Sequence, residues 1–360
     1  MDVDVQVIRA SAAGAEQAGF LLPAQRALIH ERGWLKMLAP RASGGAELPL
    51  PQAVRLEEAI AEADGSMGWV VTLCAGAGWF AGFLAPDTAR AIIGTPEVCL
   101  AGSGAPTGFA DREGDGYRIT GRWDIASGAP MATHFTLNAI VREGGQPLPG
   151  ADGAPQVRAF VVPAAQVVVE PTWRSFGMRG TASHSYRIEG AWVPASHGFT
   201  IDPACAKAPG ALYRFPFMLL AWVTLAANLS GMARHFLALA GEIVAARRQP
   251  PATSQDALAR AGMALEGARE RMYALLEQAW AQAAGEDAGE GAGEGAAGGM
   301  EDAALDARLR EASQALVAAA RRAVGDIYPY CGLRAAQEDS DINRVWRDFH
   351  TASQHALFTP

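Results

Sequence analysis

Apolar residues recur at helical spacing through roughly the first 95 positions, in Ala24–Leu38, in Pro51–Ala63 and across the apolar stretch Trp69–Phe83, with turn signals at Gly44-Gly45 and Asp64-Gly65. From about residue 96 the texture changes. Short β-rich runs, Tyr117–Thr120, His134–Val141, Arg158–Val162, Val167–Val169 and Ser185–Val193, are separated by Gly, Pro and Asp clusters, which predicts a compact antiparallel β-domain. Helical periodicity returns after Pro209 in four long pieces, about 215–248, 254–284, 302–328 and 340–357, long enough to pack as a bundle. The pattern divides the chain into a helical domain over 1–95, a β-domain over 96–208 and a helical bundle over 209–360. Within the bundle, 284–299 is rich in Gly, Glu and Ala and buries too little apolar surface to offset its ordering entropy, so a mobile inter-helix loop is expected there.

Two stretches, Gly65–Pro86 and Phe215–Ala233, run without charge for about 20 residues, the length that spans a bilayer. Their glycines, Pro86, Pro216, Asn228 and Ser230 favour the alternative, helices in the middle of a large helical core. Composition agrees, since 50% hydrophobic and 19% charged residues in 360 are enough for two or three cores. A net charge of -8 argues against a chain that coats nucleic acid or clings to anionic membranes, and suits a small or neutral partner. Cys74, Cys99, Cys205 and Cys331 are far apart, with no CxxC, so neither a disulfide framework nor a metal site is expected. The acidic start lacks the pattern of a secretory leader, and a reducing cytoplasm is the expected location.

Nucleotide chemistry is the first to test. Gly102–Gly108 is glycine-rich, but a dinucleotide fingerprint opens a helix inside a βαβ unit, whereas this segment follows a short apolar run and leads toward a strand. No GxSxG elbow, HExxH or Walker lysine occurs. Gly121-Arg-Trp-Asp-Ile-Ala-Ser-Gly128 reads as a strand running into a turn, able to set an indole beside a hydroxyl. An isoalloxazine ring needs a flat apolar surface and a donor near N5, although Trp123 also reads as β-domain core and Ser127 as plain turn chemistry.

Six patterns in order carry a family resemblance: Asp64-Gly-Ser-Met-Gly-Trp69, Gly104-Ala-Pro-Thr-Gly108, Gly121-Arg-Trp123 with Ala126-Ser-Gly128, Gly177-Met-Arg-Gly-Thr181, Val193-Pro194, and Arg344-Val-Trp-Arg-Asp348 continuing to His355. Over nearly its whole length the chain resembles the acyl-CoA dehydrogenase fold, and within it the group D two-component flavin-dependent monooxygenases. The resemblance implies an α+β, mostly α protein with an N-terminal helical domain, a central antiparallel β-barrel and a C-terminal four-helix bundle, assembled as a homotetramer. It implies reduced FMN as cofactor, with FAD as the alternative, supplied by a separate NAD(P)H:flavin reductase. It further implies hydroxylation of an aromatic or electron-rich small molecule through a flavin C4a-hydroperoxide.

By position in those motifs, Ser103 and Thr107 would contact the flavin, Ser127 would approach N5, Trp123 would stand near the ring, and Arg179 and Arg247 or Arg248 would meet the phosphate. A dehydrogenase of this fold needs a carboxylate base beyond the last Arg-Asp, yet no acid follows Asp348, and Leu220–Leu229 carries none either. His355 is the group left to orient or deprotonate a substrate, as a base of near-neutral pKa. If the last helix continues that far, His355 falls opposite its apolar stripe of Ile342, Val345, Trp346, Phe349, Ala352 and Ala356, a face that is either cavity or solvent. The competing readings are an acyl-CoA dehydrogenase, an amine N-hydroxylase and a silent scaffold of the same fold.

Overall fold

Helix starts follow capping chemistry. In the computed structural model, which describes residues 3–150, 152–249, 251–285 and 296–359, Asp4 accepts from Val7 N–H ahead of α1 (Val5–Ala18). Asp64 accepts from Ser66 N–H ahead of α4 (Gly65–Trp79), and Ser340 from Asn343 N–H ahead of α11 (Asp341–Ala352). Each cap fills a donor that a first turn leaves open. Proline stands in the first turn of α2 (Pro23–Glu31), α3 (Leu50–Ala63) and α5 (Pro86–Ile93), where its missing N–H costs nothing. After the strands come α6 (Ala211–Arg214), α7 (Phe217–Ala245), α8 (Ala252–Gly285), α9 (Ala296–Ile327) and α10 (Leu333–Ala336), then α11. Most of the loop expected over 284–299 lies outside the described residues.

The two stretches of membrane-spanning length are core helices: Gly65–Phe83 and Phe217–Ala245 are 83% and 78% buried across their apolar windows. They pack through small residues. At Gly231 of α7 an added Cβ would lie 2.4 Å from the Glu58 carbonyl oxygen on α3, so only glycine admits this approach. The resulting core joins the N-terminal helices, α7 to α9 and α11 into one apolar cluster that also takes in Leu100, Ala159, Val161 and Phe199 from the sheet.

The eight strands are β1 (Leu100–Glu113), β2 (Gly116–Ala126), β3 (His134–Glu143), β4 (Gln146–Pro147), β5 (Val157–Pro163), β6 (Val168–Glu170), β7 (His184–Pro194) and β8 (Gly198–Phe199). They form one sheet in the order β6-β7-β2-β1-β3-β5-β8, with β4 paired to β3. The expectation of an antiparallel barrel is corrected in two ways. The sheet is mixed, because β1 and β3 run parallel, and among the described residues its end strands β6 and β8 are not paired with each other, so it is open. The turn after β2 is the physical reason. Thr133 and His134 N–H both donate to the Cys99 carbonyl, bringing the chain back to the start of β1 and launching β3 alongside it. A second apolar cluster, with Trp123, Phe135, Phe160 and Tyr186, fills the sheet's own core.

Candidate functional site

Two irregularities in the strands shape the site. In β1 the register with β3 jumps from Ser103↔Leu137 to Gly108↔Ala139, so 104–107 bulge outward from the strand. The glycine-rich segment is therefore strand with a wide bulge, pinned by Asn138 Nδ2 donating to the Gly104 carbonyl at 2.8 Å and by Thr107 Oγ1 donating to the Arg122 carbonyl at 2.6 Å. In β2 the register with β7 shifts between Trp123 and Ala126, with Ile125 at φ 64°, and Gly128 follows at φ 75°. That kink carries Ser127 off the sheet toward the helices.

Between this sheet face and helices α4 and α7 lies a cavity of about 330 Å³, within the range of small-molecule sites. Its lining combines apolar side chains, Phe80, Phe199, Phe217 and Met218, with polar ones, Ser103, Ser127, Thr136 and Asn138. Phe80 stands 5.4 Å from Phe199 and 5.5 Å from Phe217, ring centre to ring centre, giving a continuous aromatic wall. Among the described lining residues there is no Asp, Glu, Lys or Arg. A groove of about 450 Å³ near Arg55, Glu277 and Trp280 is larger, but among the described residues it holds no hydroxyl or imidazole, and it is lined by α3 and α8, which do not line the cavity.

His355 closes the cavity from the C-terminal side. Helix α11 ends at Ala352, and His355 opens a separate 3-10 turn over Ala356–Phe358, accepting from Leu357 N–H on Nδ1 at 3.3 Å. Its ring meets Trp69 edge-on at 5.8 Å. Burial pushes the imidazole pKa below its ordinary 6.5, so it is neutral at pH 7. With Nδ1 occupied as acceptor, the neutral ring carries its proton on Nε2. In this tautomer Nε2–H is the group that His355 has free to orient a bound molecule.

The remaining residues singled out in the sequence divide. Ser103, Ser127 and His355 line the cavity together. Thr107 is exposed on the bulge and spends its hydroxyl on Arg122. Trp123 is fully buried in the sheet core, stacked on Tyr186 at 5.5 Å and donating to the Asn138 carbonyl, so it does not line the cavity. Arg179 is exposed beside a buried turn and is not among the lining residues. Arg247, just past the end of α7, donates to the Tyr330 carbonyl; it is some 20 helical positions beyond the cavity residue Leu225, roughly 30 Å along the axis. Arg248 is exposed at the same far end. Within this chain neither arginine reaches the cavity.

Thr136 and Asn138 were missed, although a signal was available: His134, Thr136 and Asn138 alternate as polar positions along an otherwise apolar strand. Thr72 and Thr224 sit in helices too apolar for a wheel to flag; Asn228 donates to Thr72 Oγ1 at 2.5 Å.

The loop behind Ser127 is held by the last helix. Asp348, fully buried and pushed up to about 7 by burial and by the nearby Asp64 carboxylate, accepts from Met178 N–H. Thr351 Oγ1 accepts from Gly177 N–H at 3.0 Å. A Cβ on Gly177 would come within 2.2 Å of the Arg347 carbonyl group, so Gly177→Ala is expected to lower stability by about 2–3 kcal/mol, read as a shift in denaturation midpoint. A loss below about 0.5 kcal/mol would show that the loop moves freely away from α11. This contact explains why the Gly177–Thr181 and Arg344–Asp348 motifs occur together.

An isoalloxazine fits the donor set and shape of this cavity. The bulge leaves open space above Gly104, where a Cβ would meet nothing within 4 Å, and hydroxyl, amide and imidazole groups line the cavity. Comparison with known proteins points the same way. Residues 223–360 match the family model described as acyl-CoA dehydrogenase, C-terminal domain. A pigment production hydroxylase of Rhodococcus erythropolis is 26% identical over 349 residues, covering 91% of this chain and 84% of that protein. The flavin-dependent monooxygenase oxygenase subunit HsaA of Rhodococcus jostii is 24% identical over 352 residues, covering 92% and 86%. Among solved structures, XiaF from Streptomyces sp. in complex with FADH2 and glycerol superposes with a TM-score of 0.83 at 22% identity, over 99% of this chain and 89% of that one. With an acyl-CoA dehydrogenase C-terminal domain matched over residues 223–360 and these relatives aligned along most of its length, the chain has an acyl-CoA dehydrogenase-like fold and is similar in sequence to hydroxylases and oxygenase subunits of flavin-dependent monooxygenases.

Proposed function

We propose that this protein is the oxygenase component of a two-component flavin-dependent monooxygenase, hydroxylating an aromatic or otherwise electron-rich small molecule with reduced FMN or FAD delivered by a separate NAD(P)H:flavin reductase. The observation that carries the reading is the cavity's lining: Ser103, Ser127 and His355 converge there with no carboxylate beside them among the described residues. Dehydrogenation of an acyl thioester requires a carboxylate to take the α-proton, and the described lining residues include none. Bound reduced flavin, after taking up O2, supplies the oxygen atom to be transferred; the protein's own groups place the reactants and exclude water.

Ser103, Thr136 and Asn138 hold the polar edge of the ring. Ser127 meets the N5 position. The aromatic wall of Phe80, Phe199 and Phe217 receives a flat, largely apolar substrate, and His355 Nε2–H holds that substrate's oxygen. Among the described residues no cation lines the cavity, so a flavin phosphate draws its counter-charge from elsewhere. A homotetramer would supply it, with Arg247 or Arg248 of one copy reaching the cavity of another. Four free thiols suit a reducing cytoplasm.

The test is isotope transfer. Purified protein supplied with chemically reduced FMN or FAD and 18O2 is expected to place one labelled atom in a phenolic substrate, read by mass spectrometry. Absence of binding to either reduced flavin would sink the proposal, and flavin-dependent oxidation of an acyl-CoA without label would replace it with dehydrogenation.

A further inference from the structure

Behind Ser127 runs a chain of buried hydroxyls that the assignment above does not use. Ser127 Oγ lies 2.8 Å from Ser183 Oγ, which lies 2.7 Å from Thr181 Oγ1, which donates to the Met178 carbonyl at 2.8 Å. All three side chains belong to residues at most 3% exposed, so water does not intervene. Each hydroxyl has a single proton to give. The carbonyl at the far end can only accept, so it takes the proton of Thr181. Thr181 must then accept from Ser183, and Ser183 from Ser127. Ser127 thus spends its proton inside the wall and turns lone pairs toward the cavity.

The terminus of this relay is fixed. Met178 is held at both polar atoms: its N–H by Asp348 on α11, and its carbonyl also by Trp173 Nε1 at 2.9 Å. Met178 and Ala182 both adopt left-handed backbone, φ 55° and 44°, a strained geometry that persists only where the surroundings impose it. It brings Thr181 and Ser183 to the same side of the loop.

We infer that Thr181 and Ser183 are positioning residues that fix Ser127 as a hydrogen-bond acceptor toward the cavity, and so make the site select reduced over oxidised flavin. Reduced flavin carries a hydrogen on N5 and donates there; oxidised flavin presents a lone pair, which would face the lone pairs of Ser127. The inference rests on the flavin reading of this cavity, and it reverses the role expected of Ser127 from its sequence, a donor near N5. A site of this polarity takes flavin when it arrives reduced and releases it once oxidised, as a system with a separate reductase requires.

The experiment measures dissociation constants of reduced FMN, under anaerobic conditions, and of oxidised FMN, for the wild type and for Ser183→Ala, Thr181→Val and Thr181→Ser. The wild type is expected to bind the reduced form more tightly. Ser183→Ala and Thr181→Val free the Ser127 proton to turn into the cavity, and each is expected to shrink the oxidised-to-reduced ratio about tenfold, equal to a fall of about 30 mV in the bound flavin's midpoint potential. Thr181→Ser keeps the relay and is expected to retain the wild-type ratio. If both breaking variants fold, bind flavin and leave the ratio unchanged, the relay is overturned while the flavin reading stands. Loss of the fold in both would assign the hydroxyls to stability and also overturn it. If the wild type binds neither reduced FMN nor reduced FAD, the flavin reading and the relay fall together.

Discussion

His355→Ala is expected to cut hydroxylation about a hundredfold, while His355→Gln keeps most of it. The reason is the tautomer. Leu357 N–H donates to Nδ1, so the neutral ring holds its proton on Nε2 and is set to donate to a substrate oxygen in the proposed reaction. The Gln side chain places an N–H close to the same point; alanine places nothing there. A histidine acting as base through Nε2 would give the opposite result for glutamine, whose amide cannot take a proton. The pH profile separates the two further. Burial lowers the imidazole pKa below 6.5, and protonation puts a second hydrogen on Nδ1, facing the Leu357 N–H. Activity is therefore expected to fall as pH drops through that lowered pKa, breaking the turn that positions the ring. The acid limb of kcat/KM should lie below 6.5 in the wild type and vanish in His355→Gln. Equal loss in the alanine and glutamine variants would return His355 to the role of base.

That tautomer was hidden from the sequence for a definite reason. A helical wheel assumes an unbroken helix, and over 340–357 it sets His355 opposite the apolar stripe. The helix stops at Ala352, and the new turn after it rotates His355 toward Trp69. The succession of helices, strands and helices was legible because the periods 3.6 and 2 differ and because Gly, Pro and Asp cluster where they change. Strand β1 was not, because Gly102–Gly108 has the composition of a loop; its pairing with β3, 30 residues on, makes it a strand. Parallel pairing of β1 and β3 has no local signature at all. Ser103 and Ser127 were reachable through motifs, since bulges and positive-φ glycines leave marks in sequence. Trp123 shows the converse: the same motif points a large side chain into the sheet core, where it fills the space left by Gly108 and Gly121.

Glu57→Gln is expected to stabilise the protein by about 3 kcal/mol at pH 7, with the gain growing as pH rises. Glu57 lies on α3, fully buried, and neither carboxyl oxygen has a hydrogen-bond partner among the described residues. It differs from its neighbour Glu58, which takes Ser230, Arg269 and Tyr273 as partners and is compensated where it sits. A free glutamate titrates near 4.5, and burial lifts Glu57 to about 8. Between those two values the folded protein holds a proton that the unfolded chain has released, so stability falls as pH rises through that window. At pH 7 the gap is ~2.5 pH units at about 1.36 kcal/mol each. Glutamine keeps the size and a neutral amide at every pH, so it removes this cost without opening a cavity. Denaturation midpoints of the two proteins should coincide near pH 4 and separate steadily toward pH 8. A constant difference across that range would mean that Glu57 is not the titrating group, and a destabilised variant at pH 8 would mean that the carboxylate is compensated within the core.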